Sequence, residues 1–167
     1  FLGSRQNYGH WFHDFIPKFW ILDQFDSLSE LPVLVGKLTE YQKESLELMG
    51  KPLRQFIELP QGAESGCTLY KCKDLLVPSE IPFGLSDQYI RSVFCRDDYG
   101  PKNRRLILSR AGLGGRSRVS NEDEIVNELT QQFGFEVIHP ERLSVAETIA
   151  LMQRAQVVVT TVGAQTS

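Results

Sequence analysis

Apolar positions recur along this chain in two rhythms, and the changes between them mark its elements. In residues 7–25 (NYGHWFHDFIPKFWILDQF), Phe12, Phe15, Ile16, Phe19 and Trp20 fall at near-helical spacing, which predicts an amphipathic helix. Pro17 has no amide N–H, so the carbonyl of His13 loses its usual helix donor and a kink or restart is predicted there. Residues 31–35 (LPVLV) read as a short buried strand, and 38–49 alternate apolar and charged residues at helical spacing until Gly50 ends them. Residues 56–59 and 68–77 read as strands around the turn-rich PQGAESG, and 86–95 as a helix. The run Asp97-Asp98-Tyr99-Gly100-Pro101 has a linker's composition.

Beyond it the pattern becomes regular. Residues 105–109 (RLILS) read as a strand, and Ser120 with Asp123 reads as the N-cap of a helix over 121–133. That helix places Ile125, Val126, Leu129 and Phe133 on one face and closes at Gly134. Residues 135–139 (FEVIH) form the next predicted strand. Ser144 and Glu147 spell a capping box ahead of the stripe Val145, Ile149 and Met152, and 157–161 (VVVTT) is an apolar strand running into a turn at Gly163. Strand-helix-strand-helix-strand with short connections predicts an α/β fold with a parallel, Rossmann-like sheet. Ligands of such sheets sit at the carboxyl ends of the strands, where Arg110, His139 and residues 162–167 fall.

Charge sharpens one part of this picture. The net charge of −3 spreads unevenly, with 10 basic and 13 acidic residues in 1–97 and eight of each in 98–167. Between Tyr99 and Asn121, however, lie six cations and no acid. Glycines 112, 114 and 115 allow close backbone approach there, and Arg110, Arg116 and Arg118 can fork onto phosphate oxygens beside the helix start at Asn121. The stretch reads as an anion site or as a solvated basic loop. It spells neither a P-loop nor GxGxxG, so neither an ATPase nor a dinucleotide-dependent oxidoreductase is indicated. The positive charge is local and ligand-sized, which excludes a general nucleic-acid binder.

Other residues bound the chemistry further. His10 and Asp14, four apart, share a helix face and read either as a surface pair or as a carboxylate base oriented by an imidazole. Adjacent Asp97 and Asp98 are not an Asp-x-Asp metal site and read as turn residues. Cys67, Cys72 and Cys95 show no metal spacing and read as buried or half-buried thiols of a reducing compartment, with a disulfide as the alternative. No apolar run approaches the ~20 residues of a membrane span. The chain begins at Phe1 without methionine and stops at Ser167 just after a glycine turn, which suggests a piece of a longer protein.

With these residues in view, the chain resembles glycosyltransferase family 61, which includes enzymes of protein O-linked N-acetylglucosamine transfer, plant xylan decoration and bacterial capsular polysaccharide assembly. The resemblance rests on N-x-x-H-x-x-x-D at Asn7, His10 and Asp14, on LILSR ending at Arg110, and on RSRVSNEDEI, FEVIHPERLS and AQVVVTTVGAQTS in that order. It implies a GT-B-like fold of two Rossmann-like halves, both incomplete here, with 1–97 on the acceptor side and 98–167 opening the donor side. It further implies an inverting hexosyl- or pentosyltransferase that moves a sugar from a nucleotide-sugar to a glycan or protein hydroxyl, without metal or other cofactor. The role of catalytic base then goes to Asp14, with His10 beside it. Asn7, Arg110, Arg116, Arg118, Asn121, His139, Glu141, Gly163 and Ala164 become the donor- or substrate-binding candidates. The implied compartment is cytoplasmic, membrane association included, on the bacterial reading, or the secretory lumen otherwise. Where members commonly carry His-Gly-Ala, this chain has Val162-Gly163-Ala164. The missing imidazole leaves open a noncatalytic nucleotide- or sugar-binding relative.

Overall fold

A computed structural model describes residues 7–59, 71–95, 99–110 and 119–161. The fold is mixed α/β, with parallel strands in two small sheets, one in each of two units, Phe1–Arg96 and Asp97–Ser167.

In the first unit, β1 (Val33–Val35) pairs in parallel with β2 (Phe56–Glu58), Val33 opposite Phe56 and Val35 opposite Glu58. A parallel pair needs a crossover, and here it contains α3 (Glu40–Leu48). The side chain of Gln42 closes back on the start of α3, its Oε1 accepting from the Thr39 N–H at 2.9 Å. Gly50, at φ +74°, adopts the left-handed conformation that ends the helix.

The predicted helix over 7–25 is three short pieces: α1 (Tyr8–His10), a π-helical turn (Trp11–Phe15) and α2 (Lys18–Leu22). Pro17 is the cause on its C-terminal side. With no N–H at Pro17, the ladder resets: Ile16 N–H reaches back five residues to Trp11 O at 3.0 Å, and Phe19 and Trp20 restart the helix on Ile16 O and Pro17 O at 3.1 and 2.9 Å. The aromatic face survives the reset. Trp11 stacks on Phe15 with centroids 4.0 Å apart, Phe15 meets Phe19 edge-on at 5.7 Å, and Phe19 meets Phe56 of β2 at 6.0 Å. The buried Trp11 indole N–H donates to Ser45 Oγ of α3 at 2.8 Å, and that hydroxyl donates onward to Gln42 O at 2.8 Å.

Helix α4 (Phe83–Phe94) starts three residues before the predicted 86, directly behind Pro82. Tyr89 donates its hydroxyl to Asp23 Oδ2 at 2.7 Å, and Lys51 pairs with the same carboxylate, so Asp23 gathers α4 and the segment after α3 at the end of α2. The strand predicted over 68–77 is absent from its described part, residues 71–77, and 68–70 lie outside the described residues. Leu75, Leu76 and Val77 are exposed and find no partner strand; Leu75 and Leu76 instead line an open apolar cavity of about 400 Å³ with Leu22, Leu28 and Leu31. Hydrophobicity without a free sheet edge is not enough to make a strand. Cys72 and Cys95 are free and exposed rather than buried: Cys72 sits in this same irregular segment and Cys95 is the residue that ends α4. Cys67, Asp97 and Asp98 lie outside the described residues.

The second unit follows its predicted order closely. β3 (Arg104–Leu108), α5 (Glu122–Phe133), β4 (Glu136–Ile138), α6 (Val145–Gln153) and β5 (Ala155–Thr160) build a three-stranded parallel sheet in the order β4-β3-β5. Leu106, Ile107 and Leu108 of the central strand are buried. Leu108 lies opposite Ile138 on one side and Thr160 on the other. At the amino end of β3, the Arg104 guanidinium forks onto Glu136, with Nε to Oε1 at 2.9 Å and Nη2 to Oε2. Gly134, at φ +67°, ends α5 as predicted. The Ser144–Glu147 capping box is present, with Glu147 N–H to Ser144 Oγ at 3.1 Å and Ser144 N–H to Glu147 Oε2 at 2.8 Å. The N-cap of α5, however, is Asn121 rather than Ser120, and it makes no side-chain capping bond.

Two consequences are measurable. Ser45→Ala leaves the Trp11 N–H buried without its acceptor and is expected to cost about 1–3 kcal/mol, read as a lowered urea midpoint. An unchanged midpoint would mean that the indole finds another acceptor. Hydrogen bonding from Arg104 holds the Glu136 carboxyl below the usual carboxylate range. Because the folded pKa is the lower one, this stabilisation is present at neutral pH and disappears as pH falls through the folded value. The melting-temperature gap between wild type and Glu136→Gln should therefore close below about pH 4; a gap independent of pH would discount the ion pair.

Candidate functional site

Two clusters contain the described candidates, one in each unit. The first is built on the broken helix. Asn7 caps α1, its Oδ1 accepting from the His10 N–H at 3.2 Å. One turn on, His10 Nδ1 and Asp14 Oδ2 are 2.7 Å apart, with side chains 47% and 61% exposed. The structure thus joins all three residues of the N-x-x-H-x-x-x-D run on the face opposite the buried Trp11 and Phe15. A carboxylate held by an imidazole and open to solvent can accept a proton from an incoming hydroxyl. Tyr8, beside them, is excluded as a base at neutral pH: burial, then the nearby Tyr41 and Glu44, push its phenol up to about 12.

His13 belongs to the same turn and was not singled out from sequence. Its ring stacks on Phe83 at 5.6 Å, and its Nδ1 is buried with no hydrogen-bond partner among the described residues. Its even spacing among aromatic residues gave it the look of one more core position.

The second cluster lies at the carboxyl end of the β4-β3-β5 sheet. Ser109 extends the ladder by one bond, its N–H donating to Ile138 O at 2.9 Å. Its hydroxyl donates to Glu122 Oε1 at 2.8 Å, and the same oxygen accepts the Arg110 N–H at 2.7 Å. Arg110 Nε is buried with no hydrogen-bond partner among the described residues. On the adjoining strand, His139 Nδ1 is likewise buried and unpartnered, 3.7 Å from Glu141 Oε1 and so outside hydrogen-bonding range. Buried donors without partners are costly in a folded protein and mark places where a ligand or water completes the structure.

Sequence reasoning passed over Ser109 and Glu122, although a serine ending a strand and an acid opening the next helix were both visible. At Asn121 the structure alters the anticipated picture. The first turn of α5 carries Glu122, Asp123 and Glu124, so its helix dipole is already met by the protein's own carboxylates. Asn121 itself turns its Nδ2 toward Glu124 Oε2 at 3.4 Å. An incoming anion is attracted here by side-chain cations rather than by the helix terminus. Arg116, Arg118, Gly163 and Ala164, with Val162, lie outside the described residues. Among the described residues no group of three or more His, Cys, Asp or Glu could hold a metal, and no helix is long and apolar enough to cross a membrane.

The sequence model of the family Glycosyltransferase 61 matches residues 8–167, a span that contains both clusters. The chain belongs to glycosyltransferase family 61. No curated protein and no solved structure matches it. Family 61 membership supports a glycosyltransferase function and sugar-related substrates. It also makes the His10–Asp14 pair worth separating from a merely structural contact. Exposed i,i+4 pairs contribute only about 0.3–0.5 kcal/mol, so Asp14→Asn in this family 61 chain should unfold within about 0.5 kcal/mol of wild type. A loss of several kcal/mol in chemical denaturation would make the pair part of the fold instead.

Proposed function

We propose that this family 61 chain belongs to an inverting, nucleotide-sugar-dependent glycosyltransferase, metal-independent and acting on a glycan or protein hydroxyl. The observation that carries the proposal is the unpartnered, buried Arg110 Nε at the carboxyl end of the central parallel strand, where ligands of such sheets bind. Its chemistry suits a diphosphate, which an arginine can grip through charge-assisted hydrogen bonds. In the proposed reaction the acceptor oxygen attacks the anomeric carbon as the carbon–phosphate-oxygen bond breaks. The nucleoside diphosphate leaves with that bonding pair. Asp14, oriented by His10, takes the hydroxyl proton, and Arg110, with Arg116 and Arg118, offsets the charge that develops on the leaving group.

The remaining roles follow from the same division. His139 and Glu141 are assigned to the nucleoside, Asn7 to the ordering of the base, and Gly163 and Ala164 to close approach of backbone to the donor. Residues 1–97 form the acceptor side and 98–167 the donor side of a GT-B-like pair, on the cytoplasmic face or, in the alternative, in the secretory lumen. Val162, which stands where members commonly carry histidine, favours a second reading: a noncatalytic nucleotide- or sugar-binding relative.

Titration with UDP, GDP, dTDP and ADP in the presence of a chelator tests the donor reading, and turnover on the nucleotide-sugar of the best binder tests catalysis. Arg110→Ala should weaken the best ligand roughly ten- to a hundredfold, the equivalent of about 1.5–3 kcal/mol. Asp14→Asn should keep that affinity and lose about 10²–10⁴-fold in turnover. Binding that requires Mn²⁺ or Mg²⁺ would refute metal independence. Tight binding with no turnover in the wild type would favour the noncatalytic relative.

A further inference from the structure

We infer that Glu122 is a positioning residue for the nucleoside diphosphate: a latch that fixes where Arg110 leaves the sheet. The inference rests on the donor reading of this site but names a residue and a role outside it. The last ladder bond of β3 runs from Ser109 N–H to Ile138 O, so Arg110 is the first residue past the sheet's own support. Its backbone N–H is taken instead by Glu122 Oε1 at 2.7 Å, and the same oxygen accepts from Ser109 Oγ at 2.8 Å. Ser109 is 2% exposed. One carboxylate oxygen at the first residue of α5 therefore binds two consecutive residues at the end of β3, joining strand and helix across the segment 111–118.

The latch acts on direction. A side chain projects along its Cα–Cβ bond, so fixing the peptide that precedes Arg110 fixes the direction of a long guanidinium whose Nε lies buried and unpartnered. Without the latch the arginine retains its charge and loses its aim, and the ligand must then bear the entropy of ordering it. The role needs an acceptor oxygen rather than a negative charge. A carboxylate beside a phosphate site is electrostatically unfavourable, so the glutamine that keeps the acceptor is expected to serve as well or better.

The experiment compares Glu122→Ala, Glu122→Gln and Ser144→Ala in the full chain, by calorimetric titration with UDP, GDP, dTDP and ADP and by amide hydrogen exchange without nucleotide. Glu122→Ala should weaken the best nucleotide about tenfold and accelerate exchange at Arg110. Glu122→Gln should recover affinity to within about threefold of wild type. Ser144→Ala removes a cap elsewhere in the same unit and lowers stability comparably, yet should leave affinity unchanged. The latch is overturned if Glu122→Ala binds as wild type does, if Gln fails as badly as Ala, or if Ser144→Ala loses affinity in step with stability. Should Glu122→Ala not fold, Glu122→Gln decides: a tenfold loss there overturns the role and retained affinity supports it. A wild-type protein that binds none of the four nucleotides, with Arg110 exchange still slowed by Glu122, overturns the donor reading and leaves the latch as a fold contact only.

Discussion

Parallel pairing along β3 is the constraint on which the second unit depends. Two neighbours running the same way cannot be joined by a tight turn, so each strand must be followed by a crossover, and the described crossovers here contain α5 and α6. All three strands then end on the same side of the sheet. Ser109, Arg110 and His139 come together because hydrogen-bond register leaves them no other place to be. Arg104 and Glu136 secure the opposite end, and their ion pair fixes β4 against β3 without occupying the end where ligands would bind.

The first unit solves a different problem. Its sheet has two short strands, too little to bury much by itself, and the aromatic ladder from Trp11 through Phe15 and Phe19 to Phe56 supplies the contact area that the strands lack. Burying an indole so deeply demands an acceptor, and Ser45 provides it. The rigid inner face is also what allows the outer face to carry Asn7, His10 and Asp14 in a fixed relation.

Much of this could be read from the sequence where one local rule governed each element. The α6 capping box, the Gly134 stop and the three strands of the second unit follow from spacing and propensity alone, and so does the pairing of His10 with Asp14. What failed was decided by neighbours. Leu75, Leu76 and Val77 have the composition of a strand, yet a strand needs a free edge to join, and composition does not reveal one. The cap of α5 fell to Asn121 because Glu122 is drawn to Ser109 and Arg110, a tertiary contact over 12 to 13 residues that no local motif encodes. The donor-side reading of Arg110 was legible as charge; its buried Nε was not, because burial depends on packing.

The π-helical turn at Trp11–Phe15 fits one more residue into its circuit than an α-helix does. Chain length in this segment is therefore fixed as strictly as residue identity. Deleting a single position there would let the turn relax to α geometry and would swing the residues before it by about 100° relative to those after it. The imidazole at position 10 and the ladder that begins at Trp11 would no longer face opposite ways. A related chain one residue shorter here would need a different way to keep an acid outward and a tryptophan inward, so a gap falling in this turn is a sharper sign of altered chemistry than most single substitutions.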